Sequence, residues 1–128
     1  MKLLLDTHTF IWWITDNPQI SPKIRRLMSD GSNEIFFSAA SGWEIAIKAR
    51  LGRLELNEDL SRFIPTQLSE NAFSVLPIEL SHTLHTYHLP YHHRDPFDRL
   101  LIAQSQLEKM PLASNDQLLA GYDVELIW

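Results

Sequence analysis

The sequence contains no cysteine, which excludes a disulfide framework, a thiolate zinc site and a cysteine nucleophile at once. Any metal must then be held by oxygen or imidazole. Long apolar runs are missing too: in the opening LLLDTHTFIWWI, Asp6 and His8 break a stretch far shorter than the roughly 18 apolar residues of a membrane span. The same aspartate sits where the apolar part of a secretory leader would be, and no small-residue cleavage site follows, so a cytoplasmic location is expected, with no membrane association. There is no internal repeat, low-complexity tract or linker. With 128 residues, 45% hydrophobic and 21% charged, the chain suits one globular domain, residues 1–128, with one core.

Basic residues are outnumbered, 11 against 16 acids, for a formal net charge of -5, which at first argues against a nucleic-acid partner. The argument weakens if four of the acids form one metal-binding cluster, because the remainder then sets 12 acids against 11 bases. Net charge alone says little about partners.

Residues 2–5 read as a short apolar strand ended by Asp6, and Thr7 leads into a helical pattern through Phe10, Trp13 and Ile14. Asn17-Pro18 breaks that helix. Ser21-Pro22 starts another, to about Asp30 with Gly31 closing it. Glu34 to Phe37 is a second strand, after which Ser38 caps a helix carrying Trp43, Ala46, Ile47 and Leu51, with Gly52 as its stop. Asn57 precedes a helix from about Glu58 to Leu68, which Pro65 should kink or shorten. Phe73 to Leu76 is a third strand, and Pro77 argues against a central position for it. Ser81 caps a short helix ending before Pro90, and Asp95-Pro96 opens a strong helix through Leu100, Leu101, Ala103, Gln104 and Leu107. Pro111 to Ala113 and Val124 to Ile127 complete the strands, the last at an edge. Alternating strands and helices predict a three-layer α/β/α domain with a mostly parallel sheet of about four or five strands.

In such a sheet the carboxyl ends of the strands open onto the binding crevice. Asp6 and Asp116 follow strands, Asp98 lies in the first turn of its helix, and Glu44 lies near the start of the helix after the second strand. Convergence of four carboxylates would be strongly repulsive unless divalent cations neutralised it. Oxygen ligands select Mg²⁺ or Mn²⁺, one or two ions, and a pair about 3.5–4 Å apart suits phosphodiester hydrolysis by water. Each acid also has a plainer use. Asp6 can cap the first helix, Glu44 can pair with Lys48 one turn on, Asp95 can cap its helix with Asp98 completing the arrangement, and Asp116 can shape a turn.

Taken together, LLLDTH (3–8), SAASGWEIAIKARLGRL (38–54), HHRDPFDRLLIAQSQLE (92–108) and PLASNDQLLAGYDV (111–124) resemble, in order and spacing, the PIN domain family, and within it the VapC-type toxin ribonucleases of toxin–antitoxin pairs. The resemblance places Asp6, Glu44, Asp98 and Asp116 on the family's four acidic metal-site positions. It implies a Mg²⁺- or Mn²⁺-dependent endoribonuclease, often acting on transfer or ribosomal RNA, inhibited by an antitoxin encoded beside it and commonly a homodimer. Thr7 and Ser114 match positions where a hydroxyl can steady the ligands. Asp95 belongs to the subset carrying the DPFDR stretch.

Lys48, Arg50, Arg53, Arg94 and Arg99 lie near these acids in sequence and are expected either to grip RNA phosphates or to form a solvated helix face. His82, His85 and His88 read as ordinary surface, whereas His92 or His93 could meet substrate. Of the early aromatics, Trp13 is expected in the core and Trp12 at an interface with a second copy or an antitoxin; full burial against the sheet is the alternative. Three rival readings fit less well. A receiver-type switch lacks its aspartate after the third strand, a haloacid-dehalogenase phosphatase would need an acid where His8 stands, and a silent PIN-like binding module would have no need of four intact acids.

Overall fold

A strand covered on both faces needs an unbroken apolar run, and Leu3, Leu4 and Leu5, all fully buried, supply one at the centre of the sheet. The computed structural model describes residues 1–56 and 59–128. Its strands are β1 (Lys2–Leu5), β2 (Glu34–Ser38), β3 (Ser74–Leu76), β4 (Leu112–Ala113) and β5 (Leu126–Ile127), in the order β3-β2-β1-β4-β5. Every pairing is parallel, so all five carboxyl ends open on the same side. Pro77 follows an edge strand, as its missing N–H requires.

Because successive strand residues face opposite ways, β1 feeds two cores. Leu3 and Leu5 join Phe10, Ile24, Ile45 and Phe73 on one face, while Leu4 joins Leu101, Ile102, Leu112 and Leu119 on the other. Each fully buried leucine is worth about 1.5–3 kcal/mol. Helices α1 (Thr7–Ile14), α2 (Pro22–Ser29), α3 (Ala39–Arg50) and α4 (Leu60–Glu70) contribute to the first core, and α6 (Pro96–Glu108) to the second; α5 (Leu80–His85) lies against α6. This is the expected three-layer arrangement.

Local signals account for most helix starts. Asp6, Ser21, Ser38 and Asp95 cap α1, α2, α3 and α6, and Gly52, at φ +73°, takes the left-handed conformation that ends α3. The structure corrects three expectations. Glu79, not Ser81, caps α5, because its backbone N–H finds His82 Nδ1 at 2.9 Å. Pro65 neither ends nor shortens α4, which runs on to Glu70 from an Asp59 cap; the expected start at Asn57 and Glu58 lies outside the described residues. His82 is buried rather than on the surface, since both ring nitrogens find partners, Nδ1 at Glu79 N and Nε2 at Glu108 Oε2.

Trp13 and Trp12 are both half-buried against one core. Trp13 donates to Asn71 Oδ1 at 2.9 Å, and Trp12 meets Trp128 edge-on, which places neither fully in the core. No helix among the described residues is long and apolar enough to cross a membrane.

Candidate active site

Asp6 stands at the end of β1 with extended backbone, so its side chain turns back over the first turn of α1. One oxygen accepts from Thr9 N at 2.8 Å and Thr9 Oγ1 at 2.6 Å. Burial raises its pKa above the usual carboxylate range, and the hydroxyl of Ser114 and the two donors of Thr9 pull in the opposite direction. Capping and membership of the acid cluster therefore coexist in one residue. Thr9 was not apparent from the sequence, where nothing separates it from Thr7.

Glu44 is 3% exposed and has both oxygens engaged. Oε1 accepts from Thr7 Oγ1 at 2.7 Å, and Oε2 pairs with the Lys48 ammonium one turn along α3. The Glu44–Lys48 pair foreseen from the spacing exists, with the carboxylate side inside the protein. Thr7, next to Asp6 in the chain, thus ties the start of α1 to α3 through Glu44.

Asp95 caps α6 by accepting from Phe97 N at 2.8 Å and Asp98 N at 3.1 Å. Asp98 follows in the first turn, with its pKa pushed up to about 7. Burial is the largest cause; the charges of Asp95, Glu44 and Asp6 add to it, and His93 opposes it. Asp6, just past β1, Glu44 on α3 and Asp95 at the start of α6 therefore lie near enough to Asp98 for their charges to raise its pKa. Asp116, past β4, accepts from Leu118 N at 2.9 Å, while its own N–H donates to Ser114 Oγ at 3.1 Å.

His93 joins the two sides of the pocket. Its Nε2 lies 2.9 Å from Asp98 Oδ2 and 3.2 Å from Asp116 Oδ2, and its Nδ1 accepts from Asp95 N at 3.1 Å. With Nδ1 used as an acceptor, the hydrogen-bond network assigns the proton to Nε2, so the ring presents N–H to both carboxylates. One ligand atom from each of His93, Asp98 and Asp116 lies within 4.8 Å of the others. The sequence marked His93 only as a neighbour of Arg94 that could meet substrate.

The basic residues divide. Arg94 is exposed beside His93, but Arg99 is buried, which overturns its expected role as a phosphate grip. Its guanidinium donates to the carbonyls of Thr86, Leu89 and Pro90 at 2.8–3.2 Å and to Tyr122 Oη at 3.2 Å, so it binds the 86–93 loop to α6. Arg50 and Arg53 are exposed, but α3 starts at the crevice and carries the chain away from it. Arg50 therefore lies about 9 Å beyond Glu44 along the axis. Lys48 faces Glu44.

Five carboxylates, those of Asp6, Glu44, Asp95, Asp98 and Asp116, gather here with the Lys48 ammonium and the His93 imidazole. All the acid donors are oxygens, an arrangement suited to a hard divalent cation, and the neighbouring acid charges add to the burial that raises the Asp98 pKa. The residues fit a metal.

Comparisons with known proteins agree with this architecture. Ribonuclease VapC16 of Mycobacterium tuberculosis (strain ATCC 25618 / H37Rv) is 39% identical over 61 residues, 48% of this chain and 43% of that protein, so the match spans less than half of the relative. The crystal structure of VapBC2 from Rickettsia felis bound to a promoter DNA fragment superposes with a TM-score of 0.71 at 15% identity, over 99% of this chain and 98% of that one. VapBC-5 from Mycobacterium tuberculosis, of a toxin–antitoxin family, gives 0.63 at 16% identity, over 98% and 97%. The PIN domain profile matches residues 3–125, and the chain therefore belongs to the PIN domain family.

Proposed function

We propose that this chain is a metal-dependent endoribonuclease and the toxin of a toxin–antitoxin pair. The observation that supports the reading is the nearness of Asp6 and Glu44 to Asp98, whose pKa their charges raise, with Asp116 joined to Asp98 through His93. Family membership, the ribonuclease relative and the toxin–antitoxin neighbours support it.

Asp6, Asp98 and Asp116 hold the cation, Mg²⁺ or Mn²⁺, as one or two ions, and Glu44 binds metal or orients water. When bound, such a metal activates water and stabilises charge on the scissile phosphate. The chain's own side chains set the conditions. Thr7 and Lys48 fix the Glu44 carboxylate. Thr9 and Ser114 hold Asp6 at the strand end. The Asp95 cap fixes the first turn of α6 and hence the position of Asp98. His93 Nε2–H screens Asp98 from Asp116. No side chain need attack phosphorus.

RNA is the substrate, and an antitoxin is the partner; a homodimer acting in the cytoplasm completes the reading. The test is cleavage of total RNA by the purified chain with Mg²⁺ or Mn²⁺, with EDTA, and with Asp6→Asn or Asp98→Asn. Cleavage that EDTA and either substitution abolish, with the circular dichroism spectrum retained, is expected. Cleavage retained by both variants overturns the reading, whereas folded wild-type protein that binds an antitoxin without cutting RNA favours a silent binding module.

A further inference from the structure

Beside the acid pocket, a separate cavity of about 360 Å³ is lined by Thr86, Tyr87, Tyr91, Arg94, Pro96 and Arg99. Its two tyrosines are unusual for a soluble surface, at 87% and 81% exposed. The Arg99 guanidinium lies over the Tyr91 ring, 4.0 Å from its centroid, and is itself held by the carbonyls of Thr86, Leu89 and Pro90. Tyr91 thus has one face backed by a fixed cation while most of its surface remains open. Arg94 is exposed, adjoins His93 in the chain, and takes part in no ion pair among the described residues. Pro96 and Arg99 stand two residues before and one after Asp98 on α6, and Arg94 adjoins His93, so the backbone that lines the cavity runs directly into the acid site.

Aromatic rings presented to solvent beside a lone cation match the two parts of a nucleotide. A base stacks on a π-face whatever its identity, and the cation meets the phosphate. We propose that Tyr87, Tyr91 and Arg94 form a subsite for an unpaired RNA base and its adjoining phosphate, next to the cleavage site. The subsite rests on the nuclease reading and narrows the substrate to single-stranded RNA or an unpaired loop. Bases in a duplex are stacked on one another and have no free face to offer.

The test uses the full chain carrying Asp98→Asn, so that RNA stays intact, and a 10-nucleotide single-stranded RNA pool with 2-aminopurine at one position. Adding Tyr87→Ala and Tyr91→Ala weakens binding about tenfold or more, since stacking on one aromatic contributes a factor of roughly 5 to 150. It also removes the quenching of 2-aminopurine emission, which a loss of phosphate contacts alone would leave in place at saturating protein. Tyr→Phe at both positions retains both signals. Adding Arg94→Ala lowers the slope of log K against log salt by about 0.7. Equal affinity and equal quenching after loss of both tyrosines overturn the subsite. So does a change of oligomeric state with RNA binding unaltered, which would make the patch a contact between copies. Wild-type cleavage of total RNA, run in parallel, separates the two failures: if it cuts, only the subsite falls, and if it does not, the nuclease reading falls first and the subsite with it.

Discussion

His93 Nε2 lies 2.9 Å from Asp98 Oδ2, and the same nitrogen reaches Asp116 Oδ2 at 3.2 Å. A single N–H thus stands between two carboxylates that would otherwise repel each other. His93→Ala removes that donor and destabilises the metal-free protein by roughly 1–3 kcal/mol. Divalent cation takes over the screening, so Mn²⁺ raises the melting temperature more in the variant than in the wild type. Thermal melts in EDTA and in Mn²⁺ check this; an equal deficit in both contradicts it.

Asp98 titrates at about 7 in the fold against 3.8 ordinarily, so the folded protein binds the proton more tightly than the unfolded chain. Its contribution to stability is present at low pH and is lost as pH rises toward 7. In EDTA the melting temperature of the wild type should fall relative to Asp98→Asn between about pH 4 and pH 7, then level off. Divalent affinity should run the other way, strengthening with pH up to about 7, because the cation must displace that proton. Melting curves and metal titrations across this range decide both.

Thr7 holds the buried Glu44 through one short hydrogen bond. Thr7→Val keeps the shape and removes the donor, costing about 1 kcal/mol of stability and lowering RNA cleavage roughly 10- to 100-fold. Thr7→Ser restores both. Cleavage rates and urea unfolding of the two variants, measured side by side, provide the comparison.

Arg99→Ala leaves a cluster of buried carbonyls without donors and should destabilise the protein by about 3 kcal/mol or more. Arg99→Lys recovers little, since an ammonium cannot span the fork of acceptors. Arg94→Ala, at an exposed position, should fall within about 0.5 kcal/mol of the wild type. Urea unfolding of the three variants tests a contrast that the sequence did not suggest, because both arginines occur in one basic stretch.

The legible parts of the fold are those coded over a few residues. Ser21-Pro22, Ser38, Asp95-Pro96 and Gly52 mark helix ends through bonds made within one turn, and the leucines of β1 announce a strand buried on both faces. Where a partner lies further off, the local signal misleads. His82 belongs to a periodic histidine series typical of surface, yet Glu108 on α6 helps draw it inside. Pro65 carries a strong breaking signal, yet α4 continues past it among side chains that pack on the first core.

The sequence by itself determined a cysteine-free α/β chain whose acids follow strands or open helices, because strand patterning, caps and family motifs are properties of neighbouring residues. Only the tertiary structure decided which charges meet. It put His93 between Asp98 and Asp116, sent Arg99 into the loop carbonyls rather than toward a phosphate, and left Tyr87 and Tyr91 open to solvent. The physical reason is that electrostatic interaction depends on distance and dielectric, and both are set by where the parallel sheet and its helices bring remote segments of the chain.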